Sequence, residues 1–369
     1  MRALACFFIS LFLGMATAHA GEIRLGVVGP MTGGSAAFGE QIKRGAQLAV
    51  DDINAQGGLL GQKIELYVQD DACDPKQARN VAAKMVNEKI GVVFGHWCTA
   101  ASMAASEVYG EEGVLHMEVG ALASELTQRG IPTVFRVSAT DKAFARAIGR
   151  YVVQHNPQGK IAVVTDKPAV TKALTKYMQE FLATTPNKVV TVEEISGGDK
   201  DFSSIIDRLK NLKPDAIICS CYTLEAGLLA RQLHEKGLNV FYYGWDTFNS
   251  PDFLNIVGKD NTGKIISVDY AHPPQSTLYQ QFYKEMKKRN WPIETQTALT
   301  YAAVKIYADA VKATNSFEVP KIAEILRSQS FKTVLGDVRF EKNGDRINPA
   351  FSTYQWVDGT LKETGRIVQ

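Results

Sequence analysis

The residues predict an α/β protein of two doubly wound parallel-sheet lobes. Strand-patterned and helix-patterned segments alternate along most of the chain, with helices of about ten to fifteen residues, as in parallel sheets covered on both faces. The alternation runs twice, and 369 residues, 45% of them hydrophobic, exceed what one ordinary core absorbs. No low-complexity tether separates the two runs, so several short crossings between the lobes are expected. The second run resembles the first in layout and not in residues, so no internal repeat is implied.

The first twenty residues stand apart. Arg2 supplies a positive start, Leu4 to Met15 is apolar, and Ala18-His19-Ala20 is a small-x-small cleavage site, the pattern of a secretory signal peptide cut after Ala20. The apolar run is shorter than the roughly 20 residues of a spanning helix. A soluble, exported mature chain is expected.

The first run then begins with a buried-strand pattern at 23–28, a Gly-rich turn, and a helix at about 38–54. That helix buries Ile42, Ala46, Ala49, Val50 and Ile53, and Gln56-Gly57-Gly58 ends it. Strand 63–70 alternates Ile64, Leu66 and Val68. Asp74-Pro75 opens the next helix with a capping carboxylate and a proline at the first helical position. Strand 90–94, helix 99–110 and strands 114–119 and 133–137 follow. The second run reads helix 143–154, strand 160–165, helix 171–184, strand 189–194, then a helix capped by Asp201 and running to about 211. Strand 214–221, helix 224–237 and strands 240–244 and 264–268 complete it. The remainder carries helices at 276–288, 297–312 and 319–327, then two expected hairpins, one at Lys342-Asn343-Gly344-Asp345 and one at Val357-Asp358-Gly359-Thr360.

The charge balance excludes a nucleic-acid footprint. The 41 Lys and Arg are spread among 39 Asp and Glu, the net charge is +2, and no basic patch stands out. Export changes how the cysteines read. Beyond Cys6 there are Cys73, Cys98, Cys219 and Cys221, and an oxidising compartment permits disulfides. Cys73 and Cys98 each follow a strand, and a bridge closing that loop would add roughly 3 kcal/mol. Cys219 and Cys221 read as buried small apolar residues. A Cys-x-Cys metal site is the alternative, though no His or Cys partner lies nearby in sequence.

In open α/β sheets ligands bind beyond the carboxyl ends of the strands, at helix N-termini. Thr99 and Ala100 open a helix just after such a strand, where free N–H groups and the helix dipole attract an anion. An ordinary N-cap is the plain alternative for Thr99. Gly120 and Ala121 follow another strand and are small enough for close backbone approach. Tyr222 and Asp246 follow strands of the second run, although Asp246 also suits a simple turn. Donors on one lobe and a carboxylate with a phenol on the other complement a zwitterion.

Gln69-Asp70-Asp71-Ala72-Cys73-Asp74-Pro75-Lys76-Gln77-Ala78, Gly95-His96 with Cys98, Glu125-Leu126-Thr127 and Gly198-Asp199-Lys200-Asp201-Phe202-Ser203 resemble the leucine/isoleucine/valine-binding proteins of bacterial ABC importers. The resemblance runs over nearly the whole mature chain. It implies the type I periplasmic-binding-protein fold with three interlobe crossings, one lobe at 21–140 plus 271–350 and the other at 141–270 plus 351–369. It also implies a Cys73–Cys98 disulfide, a periplasmic location, an ABC permease as partner and a monomer; the residues themselves give no sign of a metal or an organic cofactor.

Carried over by position, the resemblance places carboxylate binding on the Thr99 hydroxyl with the Gly120 and Ala121 backbone donors, and ammonium binding on Tyr222 and Asp246. The family usually has Glu where Asp246 stands. Leu122 replaces a threonine that touches the head group, Val170 replaces a tyrosine that covers the ligand, and Trp97 replaces a modest aliphatic residue. Phe38 keeps the aromatic near the pocket mouth. Glu118 falls in a strand that is usually neutral here. The ligand is thus expected to be a branched-chain or related amino acid, or else a small carboxylate such as an aromatic acid. A sensory receptor built on the same clamshell is the other binding reading.

Catalytic readings find less support. His116-Met117-Glu118 matches half of a zinc deaminase signature, but the Pro-Cys-x-x-Cys half is missing and the motif lies in a strand. Gly29 to Gly34 is glycine-rich without the Lys-Ser/Thr of a phosphate loop, and no G-x-S-x-G nucleophile motif occurs.

Overall fold

The computed structural model describes residues 22–271, 276–292 and 294–367; the expected signal peptide at 1–20 lies outside them. The first run folds as β1 (Glu22–Gly29), α1 (Ala36–Ala55), β2 (Lys63–Asp70), α2 (Pro75–Asn87), β3 (Val92–Phe94), α3 (Thr99–Glu111), β4 (Leu115–Glu118), α4 (Glu125–Gln128) and β5 (Val134–Arg136). Its sheet is parallel throughout, in the order β2-β1-β3-β4-β5. The helix face read from spacing is the buried one: Ile42, Ala46, Ala49, Val50 and Ile53 are each at most 2% exposed. Asp74 caps α2 by accepting from Gln77 N at 2.7 Å, with Pro75 next to it.

The second run folds as α5 (Asp141–His155), β6 (Lys160–Thr165), α6 (Ala169–Leu182), β7 (Lys188–Glu194), α7 (Ser203–Leu212), β8 (Ala216–Ser220), α8 (Thr223–Glu235), β9 (Phe241–Gly244), α9 (Pro251–Val257) and β10 (Ile265–Tyr270). The chain continues through α10 (Thr277–Lys288), α11 (Thr295–Thr314), α12 (Val319–Ser328), β11 (Phe331–Thr333), β12 (Gly336–Val338), β13 (Phe351–Val357) and β14 (Thr360–Ile367). The second sheet runs β7-β6-β8-β9-β10-β13-β14, parallel except for β13 and β14. Both parallel parts therefore share one strand order, with the second strand outside the first and the third on its other side. The chain passes between the two sheets three times: from β5 into α5, from β10 into α10, and from the stretch after β12 into β13.

The returning segment packs on the first sheet's helices. Residue 45 must be glycine there, because a Cβ would meet Thr297 O of α11 at 2.3 Å. Arg289 reaches Asp51 at 2.7 Å, and the Tyr301 hydroxyl donates to Asp52 at 2.6 Å.

Two local expectations are corrected. Asp201 is not the cap of α7: Phe202 holds that place, and Asp201 accepts from Ser203 N at 2.9 Å in a turn just before it. The Asn343-Gly344 turn joins no pair of strands. A single bridge, Phe340 to Arg346, brackets it, because Gly344 is used elsewhere: its carbonyl accepts from Arg136 N at 2.8 Å. The Asp358-Gly359 turn does join two strands, β13 and β14, and both residues have the positive φ, +51° and +75°, that a type I′ turn requires.

Candidate ligand-binding cleft

Strand order locates the site. In each sheet the order reverses between the first and third strands, the place where open α/β sheets leave a crevice. Thr99 follows β3 and Tyr222 follows β8, so they occupy equivalent switch points in the two sheets. Gly120 follows β4 and Asp246 follows β9, again equivalent places. The two switch points face each other. Trp97, Thr99, Gly120, Leu122, Val170, Tyr222 and Asp246, together with Trp245, border one narrow space of about 20 Å³ between the lobes, room for roughly one water.

Thr99 is the first residue of α3 and not its cap. Cys98 is the cap, and its side chain makes no capping hydrogen bond. The N–H groups of the first turn thus remain available to a ligand. Cys98 is bonded to Cys73, with the two Cα atoms 5.4 Å apart, which ties the start of α3 to the loop after β2.

An aromatic row crosses the cleft. Phe38 stacks on Trp97 with ring centres 4.1 Å apart, Trp97 meets Tyr222 edge-on at 6.5 Å, and Tyr222 meets Trp245 at 6.0 Å. Trp97 has φ +85°, an uncommon conformation for a bulky residue. Its indole Nε1 donates to the Gln296 side-chain oxygen at 3.2 Å, with the Gln296 amide nitrogen turned to Val119 O at 2.8 Å. Gly120 is required by this ring, since a Cβ there would lie 2.0 Å from Trp97 Cδ1. On the far side Trp245 Nε1 and Thr247 Oγ1 both donate to Cys221 O, at 2.8 and 3.0 Å, and fix the loop that carries Asp246.

The donors expected from Gly120 and Ala121 are engaged by the protein itself. Glu118 Oε1 accepts from Val119, Gly120 and Ala121 N at 2.8, 2.7 and 2.8 Å. Its other oxygen accepts from Ser102 Oγ at 2.5 Å and His96 N at 3.1 Å. Burial pushes this carboxyl up, but the hydrogen bonds of His116, Ser102 and Ala121 outweigh burial and hold it well below the usual range. Ala121 does not border the cleft: its carbonyl accepts from Arg136 at 2.9 Å and its side chain packs with Leu126 and Val134. His116, paired with Glu118 in the deaminase reading, approaches Gly95 O at 2.6 Å and is fully buried. Among the described residues no cluster of His, Cys, Asp or Glu is arranged to hold a metal. Cys219 and Cys221 are buried in the apolar core of the second lobe.

Asp246 is 7% exposed, and its Oδ1 has no hydrogen-bond partner. Burial raises its pKa, and the charge of Asp269 raises it further. The Tyr222 hydroxyl is likewise pushed up by burial and by Asp166 and Asp246. The cleft therefore sets an uncapped helix N-terminus on one wall against an unpaired buried carboxyl on the other. A larger, mostly apolar space of about 580 Å³ adjoins it, bordered by Thr99, Met103, Ala169, Val170, Ala173 and Tyr222. Trp245 and Gln296 were not anticipated. Trp245 could have been found as the aromatic beside Asp246, whereas nothing local marks Gln296, which arrives from α11.

The periplasmic binding protein family model matches residues 22–360. The Leu/Ile/Val-binding protein BraC3 of Rhizobium johnstonii is 34% identical over 346 residues, covering 93% of this chain and 94% of the relative. The leucine-, isoleucine-, valine-, threonine- and alanine-binding protein of Pseudomonas aeruginosa is 31% identical over 358 residues, covering 96% and 95%. Among solved structures, the branched-chain amino acid transporter substrate binding protein LivJ of Streptococcus pneumoniae, in complex with isoleucine, matches with TM-score 0.86 at 24% identity, covering 94% of this chain and 99% of that one. A Rhodopseudomonas palustris solute binding protein in complex with 3,4-dihydroxybenzoic acid matches with TM-score 0.82 at 22% identity, covering 94% and 98%. The fold of two largely parallel sheets is thus a known architecture, and the chain belongs to the periplasmic binding protein family.

Proposed function

We propose that the chain is the exported, ligand-capturing component of an ABC importer and takes an amino acid of the leucine, isoleucine and valine class. The signal-peptide pattern before Gly21 and the names of the relatives support export and transport. The observation that carries the ligand class is the opposition of Thr99 and Asp246 across one space. The Thr99 hydroxyl and the first-turn N–H groups of α3 would take the carboxylate. Asp246, with the Tyr222 hydroxyl, would take the ammonium. The apolar space beside Val170 and Met103 would take the side chain.

Binding is proposed to begin on the lobe carrying Thr99 and to end with hinge closure about the three crossings, the closed form being the one a permease reads. No catalytic role is proposed. The aromatic row of Phe38, Trp97, Tyr222 and Trp245 favours a second reading, an aromatic carboxylate.

Calorimetric titration of the mature chain with leucine, isoleucine, valine and 3,4-dihydroxybenzoate separates the two. The proposal expects an aliphatic amino acid to bind and Asp246→Asn to weaken it about thirtyfold or more, since one partner of a buried charge pair is typically worth at least about 2 kcal/mol. Binding by dihydroxybenzoate alone, indifferent to Asp246→Asn, would replace the amino acid with the aromatic acid.

A further inference from the structure

A second space of about 370 Å³ opens on the other side of Asp246, between α10, the start of α11 and the ends of β10, β13 and β14. Four carboxylates border it: Asp246, Asp269, Glu294 and Glu363. Among the described residues its lining holds no Lys, Arg or His. Arg44 reaches Glu294 at 3.4 Å, and Arg366 lies within electrostatic reach of Tyr354. Neutral groups satisfy two of the carboxylates. Asp269 accepts from Thr295 Oγ1, Asn249 Nδ2 and Tyr270 N at 2.7, 2.8 and 2.7 Å, and Glu363 accepts from Ser352 Oγ at 2.5 Å. Asp246 keeps a buried oxygen without any donor, which is costly unless a ligand supplies one.

The wall is also aromatic. Tyr279, Tyr283 and Phe38 border it beside the carboxylates; Phe38 also stacks on Trp97, and Lys287 Nζ lies 4.7 Å from the Tyr283 ring centre. Of the four carboxylates only Glu294 has a cationic partner among the described residues, Arg44; such a set next to aromatic rings fits an organic ammonium better than a bare metal ion, which would need several ligands converging on one point. No such convergence of three acidic, His or Cys side chains exists among the described residues. Burial pushes Glu294 up to about 7 against the pull of Arg44, and Asp269 is also raised by burial.

We infer that this cavity is a second binding subsite, selective for organic ammonium groups and sharing Asp246 with the interlobe cleft. It accepts either a separate small amine or the distal ammonium of a ligand whose head group sits at Thr99. The inference goes beyond the amino-acid reading of the cleft and does not require it.

The test is titration of the mature full-length chain with putrescine and with choline, followed by leucine in separate runs. At least one of the two cations should bind, and Glu294→Gln, at the rim of the cavity, should weaken that binding about tenfold, or about 1.4 kcal/mol, while changing leucine affinity less than threefold. Asp269→Asn should act in the same direction; thermal melting of both variants shows whether they fold, and Glu294→Gln decides if Asp269→Asn does not. Absence of heat with both cations into the millimolar range overturns the subsite. So does binding that Glu294→Gln leaves unchanged, or equal competition by sodium or calcium chloride at matched ionic strength. Leucine failing while putrescine or choline binds would retire the amino-acid reading and leave the subsite standing.

Discussion

Glu118 lies in the middle of a buried strand-to-loop passage, and its carboxylate persists there because it collects five backbone N–H groups and a serine hydroxyl. It pins the loop after β3 to the loop after β4, the two loops that carry Trp97, Thr99 and Gly120. Replacing it by Gln keeps the shape but sets an amide N–H₂ against donors such as His96 N and Ser102 Oγ. Glu118→Gln should therefore cost about 1–3 kcal/mol in urea unfolding at neutral pH. The wild-type carboxyl is held below its unfolded range, so its stabilisation is present above roughly pH 4 and is lost as pH falls toward its folded value. The variant should show a shallower loss below pH 4, and parallel acid limbs would remove Glu118 as the cause. The places of Thr99, Tyr222 and Asp246 beside the cleft were readable in the sequence because each lies past the carboxyl end of a strand, Thr99 at the helix start that follows. What Glu118 does with the Gly120 and Ala121 donors was not, because the donors are gathered by two loops far apart in the chain. The only local hint was a charge in an otherwise apolar strand.

Among the elements, α3 matters most to the proposed site, because its first turn has no side-chain cap and Thr99 borders the cleft. The Cys73–Cys98 bridge anchors that turn to the loop after β2, where Ala72 and Cys73 both have positive φ. Cutting the bridge with Cys73→Ser and Cys98→Ser together should lower stability by roughly 3 kcal/mol, from the freed loop alone. Leucine affinity should fall as well, because the helix start is no longer held. Unchanged urea midpoints would show that the loop is held by its packing and not by the bridge. Long elements were legible because hydrophobic period and turn residues agree, as in α1 with its buried stripe and in β13–β14 with Asp358-Gly359. Short ones were not. α4 has four residues, too few for a period, and the Asn343-Gly344 turn was claimed by a tertiary partner, the β5 strand at Arg136.

At the scale of the molecule, the two sheets meet through thin contacts, and the row Phe38–Trp97–Tyr222–Trp245 bridges them across a space about one water wide. A leucine head group does not fit that space without the lobes parting, so this arrangement is a closed one and entry requires opening. Three short crossings allow that as a rigid-body hinge motion. A ligand that touches both Thr99 and Asp246 favours the closed form by the difference in its affinity for the two states. Small-angle scattering of the mature chain should therefore give a larger radius of gyration without ligand than with saturating leucine, the saturated form closing on the head group with a cleft slightly wider than the space of about 20 Å³ seen here. Trp97→Ala removes the bridging ring. It should enlarge the ligand-free radius further and weaken leucine binding in proportion to the closed population it loses. Identical radii with and without bound leucine would mean that the lobes do not move on capture, and a permease would then have to recognise the ligand itself and not the closed clamshell.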